Sequence, residues 1–148
     1  MSQDAKTICV KDIMRKNVIA ADVSLTVNEA AKMMEDSDVG AIIVTENNTP
    51  VGIITDRDLA IKIVSHAYPI TTKVKQVMSH PLYSITPNES VWMIADFMST
   101  YGIRKLPVID DDNVVGIVTA TDIVYNFAHA TDDKLKRMFH HELAKIYN

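Results

Sequence analysis

The sequence predicts an α/β fold, α+β in the stricter sense: two tandem β-α-β-β-α repeats packed as a pseudo-two-fold pair, followed by a C-terminal helix. Three observations predict it. The stretch Val51-Gly52-Ile53-Ile54-Thr55-Asp56-Arg57-Asp58 returns 64 residues later as Val115-Gly116-Ile117-Val118-Thr119-Ala120-Thr121-Asp122. The same offset, without a gap, aligns Val10 with Val74, Lys11 with Lys75, Met14 with Met78, Val27 with Val91, Ala31 with Ala95, Met34 with Met98 and Val44 with Val108. Each copy is also an apolar run ending in Thr-x-x-Asp before another apolar run, the pattern of a buried strand delivering a threonine and a carboxylate to the start of a helix. A repeat that cannot bury its own apolar face stacks on its copy, so the two halves make one pair.

In the first half, Val10 to Met14 reads as a short helical or turn segment and Val18-Ile19-Ala20 as a short strand. Ser24 or Thr26 caps a helix through about Asp36, with Val27, Ala30, Ala31 and Met34 on the buried face and Asn28, Glu29, Lys32 and Glu35 opposite. Strands Ala41 to Thr45 and Val51 to Thr55 follow, joined by Glu46-Asn47-Asn48-Thr49-Pro50, whose residue types favour a turn. A second helix runs from about Asp56 to Val64, and His66 to Thr72, with Pro69, links the halves. The second half repeats the order: Val74 to Met78, a strand near Leu82 to Ile85, a helix from Asn88 through about Tyr101, strands Lys105 to Ile109 and Val114 to Thr119, and a helix Thr121 to His129. These readings divide the chain into repeats at 8–68 and 72–130 and a docking helix at 131–148. In that helix Leu135, Met138, Phe139, Leu143 and Ile146 fall at helical spacing, with Asp132 and Asp133 at the favourable N-terminal end; whether it packs on its own subunit or on a partner stays open. The segment Val91 to Met98 has Asp96 as its only charge, so its helix needs partners on both sides. That predicts a homodimer with Trp92 and Phe97 near the interface.

The composition is that of an ordinary globular chain, with 148 residues, 47% hydrophobic and 23% charged. A net charge of −4 argues against nucleic acid, whose binders present a basic face to release counterions from phosphate. The single cysteine, Cys9, cannot form an internal disulfide, and Met1-Ser2-Gln3-Asp4-Ala5-Lys6 lacks the apolar core of a signal peptide. No apolar run approaches the roughly 18 residues that span a bilayer. The chain therefore reads as cytoplasmic, with no membrane partner.

Chemistry concentrates at the two Thr-x-x-Asp junctions. A carboxylate such as Asp58 or Asp122, fixed just inside a helix, can accept both hydroxyls of a ribose diol, while a hydroxyl and free backbone N–H groups at the helix start suit a phosphate. Gly52 or Gly116 allows close approach of another backbone or of a flat base. Thr-x-x-Asp is also a variant of the helix capping box, worth about 0.5–2 kcal/mol with no ligand involved. The two roles are compatible.

The order of elements, repeated in tandem with Gly-apolar-apolar-Thr-x-x-Asp at the last strand-to-helix junction, resembles the cystathionine-β-synthase (CBS) domain pair, or Bateman module. The resemblance covers Val10 to Ala128 and includes Met14 and Met78, Gly52 and Gly116, and Ile103-Arg104-Lys105-Leu106-Pro107-Val108. It implies a regulatory module that binds adenine nucleotides (AMP, ADP or ATP), or sometimes S-adenosylmethionine, in two clefts between the repeats and modulates an unidentified partner protein. It also implies that each cleft takes its ribose carboxylate from one repeat and other lining from the opposite one. The Asp58 cleft would then hold Thr55 and Arg57, with Arg104 and Lys105 reaching across, a cluster of cations suited to phosphates, and Tyr83 with Leu82 against the base. The Asp122 cleft would hold Thr119 and Thr121, with uncharged Val18, Ile19, Ala20, Gly40 and Ala41 opposite, suiting a monophosphate or a nucleoside. Where Asp56-Arg57 replaces Ala120-Thr121, the two clefts need not take the same ligand.

Other constellations are weaker. His140-His141-Glu142 lacks the His-Glu-x-x-His spacing of a helical zinc site, and Asp110-Asp111-Asp112-Asn113 lacks the alternating ligands and glycine of a calcium loop, so it reads as a hairpin turn. No nucleophile and base are paired. The expectation is a non-enzyme without metal or catalytic cofactor; the alternatives are a dimeric adaptor whose Thr-x-x-Asp segments are only caps, or an S-adenosylmethionine-binding module.

Overall fold

The computed structural model describes residues 8–130 and 132–147; Met1 to Lys6, and Thr131 and Asn148 at the limits of the expected C-terminal segment, lie outside them. Among the described residues two compact units form, one of Asn17–Tyr83 and the other joining residues 8–16 to those after Tyr83. The short helices that lead into each repeat, α1 (Val10–Ile13) and α4 (Val74–Val77), thus fold with the other repeat's strands.

In the unit of Asn17–Tyr83, β1 (Ala20–Asp22) pairs parallel with β2 (Ala41–Glu46), which pairs antiparallel with β3 (Thr49–Thr55). The first strand thus lies about two residues later than Val18-Ile19-Ala20, although Ile43 N–H already donates to the Ile19 carbonyl at 2.9 Å. Helix α2 (Val27–Ser37) begins where Thr26 and Glu29 close a capping box: Thr26 Oγ1 accepts the Glu29 N–H at 3.2 Å and Glu29 accepts the Thr26 N–H at 3.0 Å. That bond holds the Glu29 carboxyl below its ordinary pKa. Val27, Ala30 and Met34 are buried beneath it, but Ala31 points to solvent, against expectation. The β2–β3 turn is shorter than the expected five residues. Asn47 and Asn48, with φ of 51° and 62°, form a two-residue loop of the twist-matching type, and Thr49 and Pro50 already belong to β3. After α3 (Asp56–Asp58) the helix continues in π form over Leu59–Val64, so only its first turn is α-helical.

In the second unit, β4 (Lys105–Asp110) and β5 (Asn113–Thr119) form an antiparallel pair turned by Asp111 and Asp112 at φ 48° and 65°, the predicted hairpin. The expected strand near Leu82 to Ile85 reduces to a single parallel bridge, Ile85 to Val108. The reason is Pro107: it stands where Ile43 stands in the first repeat and has no N–H to extend the ladder. Helix α5 (Trp92–Tyr101) starts four residues later than expected. At the position of Glu29 it has Met93, which cannot reach back, and only Ser90 Oγ accepts the Trp92 N–H, at 3.3 Å. Helix α6 (Ala120–His129) follows β5.

Helix α7 (Asp133–Tyr147) answers the question of docking. Asp132 accepts the N–H groups of Lys134 and Leu135 at 2.7 and 3.0 Å, and the helix then packs on α5 and α6 of its own unit. Phe139 is fully buried with its ring 5.1 Å from Trp92, and Lys145 bridges Asp96 and Glu142 at 3.2 and 3.0 Å. The bond to Glu142 holds the Lys145 ammonium above its ordinary pKa. The second face of α5, whose apolar character predicts a dimer contact at Trp92 and Phe97, is thus covered in part by α7, and both residues stay half-buried.

The lead-in segments sit tightly on glycines. A Cβ on Gly116 would lie 2.6 Å from Met14 Sδ and 2.9 Å from the Arg15 carbonyl oxygen; on Gly52 it would meet Met78 Sδ at 2.6 Å and the Ser79 carbonyl at 3.0 Å. Of the two expected uses of these glycines, close approach of another backbone is the one realised. Gly116→Ala should therefore lower stability by about 1–3 kcal/mol through overpacking, seen as a lower urea midpoint at unchanged m-value. Phe139→Ala should cost about 3–5 kcal/mol in the same measurement.

Candidate functional site

Both strand-to-helix junctions close in the same way. At the end of β5, Asp122 Oδ2 accepts the Thr119 N–H at 2.8 Å and the Thr119 hydroxyl at 3.1 Å, while the Asp122 N–H donates to Thr119 Oγ1 at 3.3 Å. At the end of β3, Asp58 Oδ2 accepts the Thr55 N–H at 3.0 Å and the Asp58 N–H donates to Thr55 Oγ1 at 3.1 Å. Each is a complete capping box, and each carboxylate is buried. A buried charge needs further donors, and the lead-in segments supply them. Arg15 exchanges backbone hydrogen bonds with Ile117 at 2.8 and 2.9 Å, and Ser79 does so with Ile53 at 2.8 and 3.1 Å. Arg15 Nε thereby reaches Asp122 Oδ1 at 2.8 Å. Ser79 Oγ lies 3.2 and 3.4 Å from the two oxygens of Asp58.

A second polar group, one helical turn on, differs between the repeats. Lys62 Nζ is 3.1 Å from Asp58 Oδ1 and also reaches the Val77 carbonyl at 2.8 Å and Ser79 Oγ at 3.4 Å. At the equivalent place Asn126 donates to the Asp122 backbone carbonyl at 2.7 Å. Arg15, Ser79 and Lys62 are the residues that sequence reasoning missed. The signal was present for two of them: Arg15 and Ser79 follow the aligned Met14 and Met78 and are therefore repeat equivalents.

Within each unit, further predicted residues gather at these junctions. The Asp56 N–H donates to the Gly40 carbonyl at 3.0 Å and Ala41 pairs with Thr55, which brings Gly40 and Ala41 beside Thr55, Arg57 and Asp58. Likewise the Ala120 N–H donates to the Arg104 carbonyl at 3.0 Å and Lys105 pairs with Thr119, which sets Arg104 and Lys105 beside Thr119, Thr121 and Asp122. The Arg104 guanidinium lies 4.7 Å over the Tyr147 ring of α7. Arg57 and Thr121 are exposed on their first helical turns, Ile19 is half-buried, and Ala20 and Tyr83 are exposed. His140 and His141 lie on the exposed face of α7. Among the described residues, no three His, Cys, Asp or Glu side chains converge as a metal site, and no helix is long and apolar enough to cross a membrane.

The chain matches known proteins over most of its length. The family model described as "CBS domain" matches residues 10–65 and 74–129. The CBS domain-containing protein YhcV of Bacillus subtilis is 38% identical over 117 residues, spanning 79% of this chain and 84% of its own. Among solved structures, the CBS domain pair of protein MJ0100, in complex with 5′-methylthioadenosine and S-adenosyl-L-methionine, superposes with a TM-score of 0.74 at 31% identity, covering 82% of this chain and 97% of that one. A hexameric CBS-CP12 protein from bloom-forming cyanobacteria superposes with a TM-score of 0.78 at 27% identity, covering 85% of this chain and 72% of that one. With both repeats matched over their full course and the duplicated Thr-x-x-Asp junctions in place, this chain belongs to the CBS domain family as a tandem CBS pair, a regulatory ligand-binding module.

Proposed function

We propose that the pair senses adenosine-bearing ligands, with AMP, ADP and ATP as its physiological set, and that Asp58 and Asp122 accept the ribose hydroxyls. The observation that carries this reading is the duplicated buried carboxylate. Two acceptor-only groups are held at fixed helix starts, each with a flanking hydroxyl and with exposed side chains, Arg57 and Thr121, on the adjoining turn. Such a group pairs well with a vicinal diol, which offers two O–H donors. The further lining in this reading is, within each unit, Thr55, Arg57, Gly40 and Ala41 beside Asp58 and Thr119, Thr121, Arg104 and Lys105 beside Asp122, with Ile19, Ala20 and Tyr83 proposed as ligand contacts as well. The MJ0100 pair, with its adenosyl ligands, supports the base and sugar and keeps S-adenosylmethionine as the alternative ligand. Binding acts on a partner protein by favouring one geometry of the pair. A homodimer with Trp92 and Phe97 near its interface remains part of the proposal, and the exposed apolar groups Val124 and Tyr125 of α6 are further candidates for the contact.

A ligand at 100 times its dissociation constant should stabilise the chain by about 2.7 kcal/mol, raising Tm by a few degrees. A thermal-shift panel of AMP, ADP, ATP and S-adenosylmethionine checks this, and flat curves at millimolar ligand overturn it.

A second reading is favoured by the completeness of both capping boxes: the chain is an adaptor and the carboxylates only cap. Asp122→Ala separates the two. It should lower stability by about 0.5–2 kcal/mol in either case, but only the sensor reading has it abolish one class of adenosyl binding in calorimetric titration.

A further inference from the structure

The two carboxylates are equivalent, but the groups that face them are not. At Asp58 the lead-in contributes the short hydroxyl of Ser79, and the nearby cation, Lys62, directs its ammonium at three acceptors: Asp58 Oδ1, the Val77 carbonyl and Ser79 Oγ. An ammonium has three donors, so this cation is fully engaged inside the unit. At Asp122 the same lead-in position holds Arg15, which meets the carboxylate through Nε alone. Among the described residues nothing meets its two Nη groups. Its side chain is 60% exposed against 6% for Asp122. A guanidinium is therefore oriented by one hydrogen bond and a backbone bridge while the part suited to bidentate recognition of phosphate oxygens faces solvent.

We propose that Arg15 is the anion-reading residue of the Asp122 site and makes that site prefer a phosphorylated adenosine to an uncharged one. The proposal rests on the ribose reading above. When a ribose diol occupies Asp122, the guanidinium stands beside the sugar, and the Nη pair takes the phosphate oxygens of the same ligand. An uncharged ligand such as 5′-methylthioadenosine offers it no anion. Ser79 gives the Asp58 site no comparable group.

Isothermal titration of the full chain and of Arg15→Ala and Arg15→Lys with AMP and with 5′-methylthioadenosine tests this. Arg15→Ala should weaken AMP at one class of site by about tenfold or more, the loss expected for a charged hydrogen-bonded pair. Affinity for 5′-methylthioadenosine should stay within about twofold, and Arg15→Lys, which keeps the charge but not the fork, should fall between. Equal losses for both ligands, or no loss for AMP, would overturn the proposal. If Asp122→Asn loses both ligands at that site while Arg15→Ala loses neither, the ribose reading stands and the role of Arg15 falls. A wild-type chain that binds neither ligand overturns both.

Discussion

A carboxylate buried at the turn from strand to helix is the constraint on which both repeats depend. Leaving such a charge unpaired away from water costs several kcal/mol, so the surrounding chain must aim donors at it. The threonine that ends the strand gives its N–H from within the capping box, at both Asp58 and Asp122. Further donors come from the lead-in, which can reach only because Gly52 and Gly116 leave room for its backbone. Glycine, threonine, aspartate and the lead-in methionine are thus one mechanical set, and the 64-residue offset preserves all four.

Around that shared set the repeats diverge wherever a single residue removes a donor or an acceptor. Pro107 for Ile43 takes away one N–H, and a three-residue strand becomes one bridge. Met93 for Glu29 removes the reciprocal half of a helix cap, and α5 begins later than its counterpart. The second repeat also carries an apolar helix that the first does not need, and α7 packs against it with Phe139 buried beside Trp92. Apolar area alone therefore argues for cover without saying which chain supplies it.

Most of the fold was legible because it is local. Helix and strand spacing, turn-forming Asn47-Asn48 and Asp111-Asp112, and the repeat offset all act over a few residues or in an ungapped register. What escaped was set by distance. Arg15 meets a carboxylate 107 residues away, and its place after the aligned Met14 marks it as the counterpart of Ser79 without naming that partner. The exchange of lead-ins between repeats is likewise a pairing choice that periodicity does not encode, and so is the destination of α7. The π form of Leu59–Val64 has the same apolar spacing as an α-helix and could not be told from one. At the site, the carboxylates and threonines were found because a motif names them; Arg15 and Lys62, the cations that pair with them, were not, because a cation's partner is chosen in three dimensions.

The hydrogen-bonding capacity of the carboxylates bears directly on how the module could respond. An ionised aspartate has about four acceptor positions. Asp122 already fills three of them, two with Thr119 and one with Arg15. A diol adding two donors exceeds what remains, so one existing donor must share or leave. The Thr119 N–H is fixed by the chain, whereas the exposed Arg15 guanidinium can share Oδ1 with an incoming hydroxyl and stay beside the carboxylate. At Asp58 the corresponding give lies in Ser79, whose hydroxyl can rotate away or become an acceptor without moving a charge. A diol at Asp122 would therefore share its carboxylate with a guanidinium, and one at Asp58 would turn a hydroxyl. The same sugar would be felt differently at the two carboxylates, because Asp122 faces a guanidinium open to solvent and Asp58 an ammonium already engaged by two further acceptors of its own unit.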